Sequence, residues 1–191
     1  LLWPSGESPE PPPAAAGCPA PPVLTDLPRY VDVRRYLRAG APLPIQTRRG
    51  CAFHCAYCTY PAIEGAAYRL KEPAQVAAEV AELGQRVGSR SFEFVDSTFN
   101  VPLPYALRVC EALARLPQRP HLQASGFTPA QSSDELLAAM GRAGFRTLVC
   151  SPDSAADPVL EAMGKGFQRH DLERLVESVH RTGMVALWSF L

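Results

Sequence analysis

Strand-like and helix-like segments alternate from residue 43 to residue 191, and this alternation limits the fold of the chain more than any other feature. Short apolar runs bounded by turn residues predict strands, whereas apolar residues three and four positions apart predict helices. Strands that alternate with helices are typical of right-handed βαβ units, which build a parallel sheet. The predicted strands are residues 43–47, 91–95, 121–125, 145–150 and 184–190.

The helices predicted between these strands have recognisable first and last residues. Pro73 suits the first turn of the first helix, and Gly88 ends that helix. Ser132 and Glu135 are predicted to form a capping box at the start of the third helix. Gly183 is predicted to end the last helix. The predicted helices are residues 73–87, 105–116, 132–143, 157–163 and 171–181.

Three cysteines, Cys51, Cys55 and Cys58, follow the first predicted strand with the spacing C-x3-C-x2-C. Soft thiolate ligands select zinc, copper(I) or iron–sulfur clusters over hard cations. A structural zinc site needs four protein ligands, and a 4Fe–4S cluster normally takes four cysteines. Three cysteines therefore leave one iron of such a cluster open to another ligand. Loops that follow the strands of parallel barrels commonly carry the active site, so this loop lies in a suitable place.

With Tyr57 before the third cysteine, the pattern C-x3-C-x-aromatic-C resembles the signature of the radical S-adenosylmethionine (radical SAM) enzymes. The flanking residues 44–50 and 59–65 are most similar to the subgroup that carries a cobalamin-binding domain ahead of the radical domain. The resemblance covers residues 43–191 and implies an α/β fold, a partial parallel (β/α)6 barrel whose sixth unit lies beyond Leu191. Without the resemblance, the alternation equally suits a doubly wound open sheet.

The resemblance also implies cofactors and partners. Cys51, Cys55 and Cys58 are expected to hold a 4Fe–4S cluster, whose open iron takes S-adenosylmethionine. An external electron donor of the flavodoxin or ferredoxin type then allows reductive cleavage to a 5′-deoxyadenosyl radical, and a small-molecule substrate is expected. Cobalamin would be bound by a domain outside this segment, and methyl transfer is one outcome compatible with that subgroup. No catalytic side chain is predicted.

Five residues are predicted to bind the cofactor. Tyr57 occupies the aromatic position that lies near the adenine in the family. Asp96 and Asn100 follow the second strand, where the family often uses Gly-Gly-Glu to contact the amino group of S-adenosylmethionine; here the carboxylate is present and the glycines are not. Asp153 and Ser154 follow the fourth strand, where relatives approach the ribose and the carboxylate. Packing is the alternative role for Tyr57, and turn capping is the alternative for Asp96 and Asp153.

Other polar residues leave two interpretations open. Arg48 and Arg49 either neutralise cluster or substrate charge or form a solvated pair, and Lys165 either meets a ligand carboxylate or is simply exposed. His54 and His121 are conceivable fourth ligands for a zinc site, although the usual paired-ligand spacing of zinc sites is absent. His54 is expected to be a surface residue.

Composition narrows the functional class. Lys+Arg and Asp+Glu number 19 each, so the net charge is zero. The chain therefore lacks the excess of basic residues that would indicate a nucleic acid partner. No apolar run approaches the roughly 20 residues of a membrane-spanning helix. The clustered thiols indicate a metal site in the reducing cytoplasm rather than disulfides. Cys110 and Cys150 are interpreted as small buried hydrophobes, and Cys18 as a bystander.

The chain is predicted to comprise two regions and to be a segment of a longer protein. Residues 1–42 form a Pro/Ala-rich linker and docking segment, and residues 43–191 form the core, incomplete at its C-terminal end. A methylthiotransferase of tRNA or ribosomal protein is an alternative function, although it needs three further cysteines upstream. The second alternative function is a non-enzymatic iron–sulfur or zinc module. The docking residues are expected to be Tyr30, Val31, Val33, Tyr36 and Leu37.

Overall fold

The computed structural model describes residues 22–191, so Cys18 and most of the predicted linker lie outside the described residues. Seven strands and seven α-helices are present in this part of the chain. The strands are β1 Leu43–Ile45, β2 Arg48–Arg49, β3 Arg69–Leu70, β4 Ser91–Val95, β5 His121–Ser125, β6 Phe145–Asp153 and β7 Val185–Phe190. The helices are α1 Val33–Arg38, α2 Tyr60–Glu64, α3 Pro73–Val87, α4 Leu103–Ala114, α5 Asp134–Ala143, α6 Asp157–Ala162 and α7 Arg169–Thr182.

Five of the strands form one parallel sheet in the order β1-β4-β5-β6-β7, which follows the order of the chain without a reversal. Consecutive right-handed crossovers that always step in the same direction place their helices on one face of a sheet. A doubly wound sheet would instead reverse its strand order at a switch point. The partial parallel barrel is therefore confirmed, and the doubly wound alternative is wrong.

The core lies between the sheet and the helices α3, α4, α5 and α7. Phe92 and Phe94 of β4 alternate with less buried residues, as they must in a strand that buries one face. The ring of Phe94 packs edge-on against Phe99, with ring centroids 5.4 Å apart, and in a tilted arrangement against Phe145, with centroids 5.3 Å apart. Aromatic pairs prefer such geometries over face-to-face stacking. This packing holds the carboxyl end of β4 and the turn after it, which border the candidate site.

Helix ends differ from the predicted ones where a nearby residue makes a better cap. Helix α4 begins at Leu103, two residues early, because Pro104 is accommodated in its first turn. The predicted capping box at Ser132 is wrong. Ser133 caps α5 by accepting from the Leu136 amide, and the Ser132 hydroxyl donates to the Pro129 carbonyl at 3.0 Å. The predicted stops at Gly88 and Gly183 are confirmed, both in the left-handed conformation.

The segment before β1 contacts the core through only some of the expected residues. Val33 is buried and Leu37 packs against the core, whereas Tyr30 and Tyr36 are exposed, contrary to expectation.

The antiparallel pair of β2 and β3 was not predicted, because two-residue strands leave no alternating pattern. None of the helices between residues 22 and 191 combines the length and the apolar character needed to cross a bilayer.

Candidate metal centre

The three predicted cluster ligands lie in the loop between β2 and α2, at the carboxyl edge of the parallel sheet. Together with the segments that follow β4 and β5, they border a cavity of about 280 Å³, called here the cysteine cavity. Side chains from four separated parts of the sequence thus meet at one place. Besides the cysteines, the cavity is lined by Phe53, Tyr57, Tyr60, Ser97, Thr98, Gly126, Phe127, Thr128, Pro129, Ser151, Lys165 and Phe167.

The base of the cysteine loop is held by several polar contacts. The Arg49 guanidinium donates two bonds to the Glu64 carboxylate, at 2.5 and 2.7 Å, in the bidentate geometry that makes such pairs strong. The Cys51 amide donates to the Gly65 carbonyl at 3.1 Å, and the Ser97 hydroxyl donates to the Gly50 carbonyl at 2.7 Å. The loop is therefore closed on itself and tied to the end of β4.

Gly50, directly before the first cysteine, allows this closure. Its φ is +87°, and a Cβ built there would lie 2.1 Å from the Ala67 carbonyl oxygen. We expect Gly50→Ala to destabilise the fold by at least about 2 kcal/mol, from left-handed strain and a backbone clash, and to lower iron binding. Gly88→Ala is the matched control, because Gly88 also has a positive φ but open space around it. Urea unfolding and iron content of both variants test this; equal losses would contradict it.

The donor set fits an iron–sulfur cluster with one open iron. The five cysteines in residues 22–191 are all free thiols, and the three that line the cavity run from buried Cys51 through half-buried Cys55 to exposed Cys58. Burial raises the pKa of the Cys55 thiol, and the Lys165 ammonium opposes that rise. Since metal binding requires thiolates, Lys165 favours the form of Cys55 that can bind a metal, its thiolate. Among the described residues, no three His, Cys, Asp or Glu side chains are already gathered in metal-binding geometry, so metal binding requires the three cysteine side chains to come closer together.

The remaining described cysteines are structural, as predicted. Cys110 and Cys150 are buried at 0% and 1% exposure, and burial raises the pKa of each thiol to about 12. The zinc interpretation loses one conceivable ligand, His121. This residue begins β5, whereas the cavity lies beyond Ser125 at the other end of the same strand, about 13 Å away along the strand. His54 is exposed, as expected.

Tyr57, Asp153 and Lys165 form a bonded cluster beside the cysteines. Lys165 donates to the Asp153 carboxylate at 2.5 Å and to the Tyr57 hydroxyl at 2.9 Å, and that hydroxyl in turn donates to Asp153. Burial lowers the pKa of Lys165, but its bonds to Asp153 and Tyr57 outweigh this, so the pKa is raised and the ammonium stays charged. Of the two interpretations of Lys165, simple exposure is therefore wrong, since only 7% of its side chain is exposed.

The segment that carries Lys165 packs directly on the cysteine loop. The Ala56 amide donates to the Met163 carbonyl at 2.9 Å, and a Cβ at Gly164 would meet the His54 carbonyl oxygen at 2.8 Å. Asp153 has a φ of 66° at the end of β6, an uncommon conformation for a residue other than glycine. Such backbone conformations persist where surrounding contacts impose them, and functional sites are enriched in them.

Arg48 and Asp96 form a buried ion pair behind the cavity, with Nε and Oδ2 3.7 Å apart and both side chains at 0% exposure. Asp96 accepts from the Thr47 hydroxyl at 2.6 Å and from the Thr47 amide at 2.8 Å, while Arg48 also donates to the Phe99 carbonyl at 2.6 Å. Burial raises the pKa of the Asp96 carboxyl, and Arg48 opposes that rise. The solvated arginine pair considered from the sequence is wrong for Arg48.

Asn100 and Ser154 also have internal partners. The Asn100 amide donates to the Thr128 carbonyl at 2.7 Å and accepts from the Thr128 amide at 2.9 Å, which holds the loop after β5 against the cavity. The Ser154 hydroxyl accepts from the Ala156 amide at 3.2 Å in a local turn. Direct cofactor contacts of Asp96, Asn100 and Ser154 stay predictions, whereas their present bonds position the surrounding loops.

Ser97 and Thr98 line the cavity and were not singled out from the sequence. Their position directly after β4 is the signal that could have identified them, because the carboxyl ends of parallel strands collect the functional groups. The Thr98 hydroxyl is bonded to Tyr68 at 2.6 Å, a contact that brings in the unpredicted segment near β3.

Comparison with known proteins agrees with this geometry. The family model described as the radical SAM superfamily matches residues 45–191. Among curated proteins, the bacteriochlorophyllide d C-12(1)-methyltransferase of Chlorobaculum tepidum is 27% identical over 143 residues, which are 73% of this chain and 31% of that protein. The tryptophan 2-C-methyltransferase of Streptomyces laurentii is 28% identical over 180 residues, 84% of this chain and 29% of that protein. The chain thus spans about a third of the length of these relatives.

A solved structure shares the same architecture. The radical S-adenosylmethionine methyltransferase TsrM from Kitasatospora setae, with cobalamin and a 4Fe–4S cluster bound, superposes with a TM-score of 0.75 at 26% identity. The match covers 83% of this chain and 32% of that one. The likeness therefore extends over nearly all of the described sheet and its helices.

Proposed function

The chain belongs to the radical SAM superfamily, and from this membership we propose that it is the radical core of a cobalamin-dependent methyltransferase. The observation that carries the proposal is the placement of three free cysteines on one cavity at the carboxyl edge of a parallel sheet. Names of the curated relatives and the cofactors of TsrM support methyl transfer and cobalamin. Because the chain covers a third of their length, the activity of the whole protein is part of the proposal.

Cys51, Cys55 and Cys58 are the residues that hold the cluster. When bound, a 4Fe–4S cluster with one open iron supplies an electron to S-adenosylmethionine, giving methionine and a 5′-deoxyadenosyl radical. The chain keeps the loop in place through Arg49, Glu64 and the contact of Ser97 with Gly50. An external donor of the flavodoxin or ferredoxin type, in the cytoplasm, provides the reducing equivalents in this proposal.

Tyr57 and Lys165 contribute the protein's part of the S-adenosylmethionine site. Lys165 places a positive charge on the cavity wall, where it offsets the negative charge of the thiolates and of the ligand carboxylate. The Tyr57 ring, held by its hydroxyl, lies 5.3 Å from the Lys165 nitrogen and leaves more than half of its surface open for stacking on the adenine. Asp153 keeps Lys165 charged and Tyr57 oriented.

The proposed function is tested on the full-length protein, reconstituted anaerobically with iron, sulfide and cobalamin. With dithionite and methyl-labelled S-adenosylmethionine, we expect 5′-deoxyadenosine or transfer of the label to cobalamin. A fully assembled cluster that gives neither product would leave a non-enzymatic iron–sulfur module as the better explanation. Incorporation of sulfur with the methyl group into tRNA would support the methylthiotransferase alternative, which the comparisons do not favour.

Lys165→Met is expected to weaken S-adenosylmethionine binding about tenfold or more, because it removes the ammonium from the cavity wall and leaves the Asp153 carboxylate there without its cation, a change on the order of 1–3 kcal/mol. Tyr57→Phe, which keeps the ring and removes the hydroxyl bonded to Lys165, is expected to have a smaller effect. Anaerobic equilibrium dialysis, corrected for cluster content, measures both dissociation constants. An unchanged constant for Lys165→Met would remove Lys165 from the site.

A further inference from the structure

The parallel sheet has one face packed against helices and one face left open within residues 22–191. Phe92 and Phe94 point into the core, so Glu93 between them points to the other face. Glu93 pairs in register with Gln123 of β5, and Gln123 pairs with Thr147 of β6. Because these three residues are half-buried and opposite each other, they form one polar row across the open face.

Apolar side chains border this row toward β7. Val185 pairs with Thr147 and is 58% exposed, and Leu187 pairs with Val149 and is 55% exposed. Their neighbours in the strand, Ala186 and Trp188, pack against the core, so Val185 and Leu187 lie on the open face. The open face therefore offers an apolar area beside a polar row, which is the usual make-up of a small-molecule site.

Glu93 is the one ionisable residue in the register row that joins Glu93, Gln123, Thr147 and Val185. Ser125 donates to its Oε1 at 2.5 Å, and no basic side chain in residues 22–191 forms an ion pair with it. Arg146, the basic residue of β6, falls at the register shift and is not paired across this row. A half-buried carboxylate without a cation is complementary to a positively charged nitrogen on a ligand.

The open face is continuous with the cysteine cavity. Ser125 directly precedes Gly126, which lines that cavity, and Val95 lies two residues before Ser97, which also lines it. Residues two apart on a strand are separated by about 7 Å. Because the Glu93 carboxylate is bonded to Ser125, the residue before Gly126, a small molecule held at Glu93 would extend to the rim of the cavity.

From this placement we propose that Glu93 determines the substrate specificity of the open face: it selects a small molecule that carries a cationic nitrogen beside an apolar ring or chain. The inference rests on the proposed function, since it assumes that chemistry takes place in the adjoining cysteine cavity. Ser125 fixes one oxygen of the carboxylate, and the second oxygen accepts from the ligand nitrogen.

The test uses the full-length protein with its cluster reconstituted, and two matched probes: tryptamine, which is cationic at pH 7.5, and tryptophol, its neutral hydroxyl counterpart. By anaerobic calorimetry we expect the wild type to bind tryptamine about tenfold or more tightly than tryptophol, since hydrogen bonds to charged groups are the stronger kind. Glu93→Gln should remove this preference. Glu111→Gln, an exposed carboxylate on α4, is the control and should keep it.

Each outcome decides between the hypotheses. Equal binding of the two probes, or a preference that survives in Glu93→Gln, would overturn the inference, even where the same preparations make 5′-deoxyadenosine. Absence of 5′-deoxyadenosine and of methyl transfer, with the preference present and lost in Glu93→Gln, would reject the proposed function and leave the binding face intact. If Glu93→Gln fails to fold, hydrogen exchange on the wild type replaces it: tryptamine should protect residues 92–95 and 121–125, and protection elsewhere would overturn the inference.

A second copy of the chain is the competing occupant of this face. It predicts a dimer whose dissociation increases in Glu93→Gln and a wild type that binds neither probe. Light scattering after size-exclusion chromatography distinguishes it, and that result would also overturn the assignment of a substrate.

Discussion

Cys51→Ala, Cys55→Ala and Cys58→Ala are each expected to abolish assembly of the iron–sulfur cluster, with loss of both iron and S-adenosylmethionine cleavage. The three thiols line one cavity. With only two thiolates, two irons of the cluster would have no protein ligand instead of one. Iron and sulfide content after anaerobic reconstitution, together with the cluster absorption band, provides the measurement. The expected result is iron near background in all three variants.

Cys110→Ala and Cys150→Ala are the matched controls, because these thiols are buried in the core and have a pKa raised to about 12. A thiol with so high a pKa is a poor metal ligand at neutral pH. Both variants should keep full iron content per folded molecule. Loss of iron from either control, with the fold intact by circular dichroism, would overturn the ligand assignment.

Arg48→Met is expected to cost about 3–5 kcal/mol of the free energy of unfolding, because it leaves the Asp96 carboxylate buried without its cation. The same change removes the donors to the Phe99 and Val101 carbonyls, which hold the turn after β4. Since Arg48 precedes Gly50 and the first cysteine by only a few residues, iron content should fall as well. Urea unfolding of the apoprotein measures the loss of stability separately from metal binding.

Two further variants make this prediction specific to the buried charge. Arg48→Met combined with Asp96→Asn should be more stable than the sum of the two single changes predicts, because no charge is then left uncompensated. Arg169→Met breaks an ion pair with Glu173 whose side chains are mostly exposed, at 64% and 58%. It should leave the urea midpoint unchanged. A loss in Arg169→Met similar to that in Arg48→Met would show that burial is not the cause.

Elements with a strong local pattern could be predicted from the sequence. The five strands of the sheet occupy the expected places, and β4 and β5 have the expected bounds. Helix ends at Gly88 and Gly183 were predictable because glycine alone adopts the left-handed conformation at little cost. The cap at Ser133 was not, because adjacent serines are equivalent in sequence and only the path of the chain into α5 selects one.

The candidate site divides in the same way. The spacing of Cys51, Cys55 and Cys58 is a local pattern, so the sequence by itself predicts a thiolate metal site there and, with the alternation of strands and helices, determined the carboxyl-edge loop that carries these cysteines. Only the tertiary structure decided that Lys165 and Asp153 meet Tyr57, about a hundred residues earlier, and that Arg48 is buried with Asp96. These contacts depend on strand register and on burial, which arise when distant segments pack together, and no local spacing of residue types contains them.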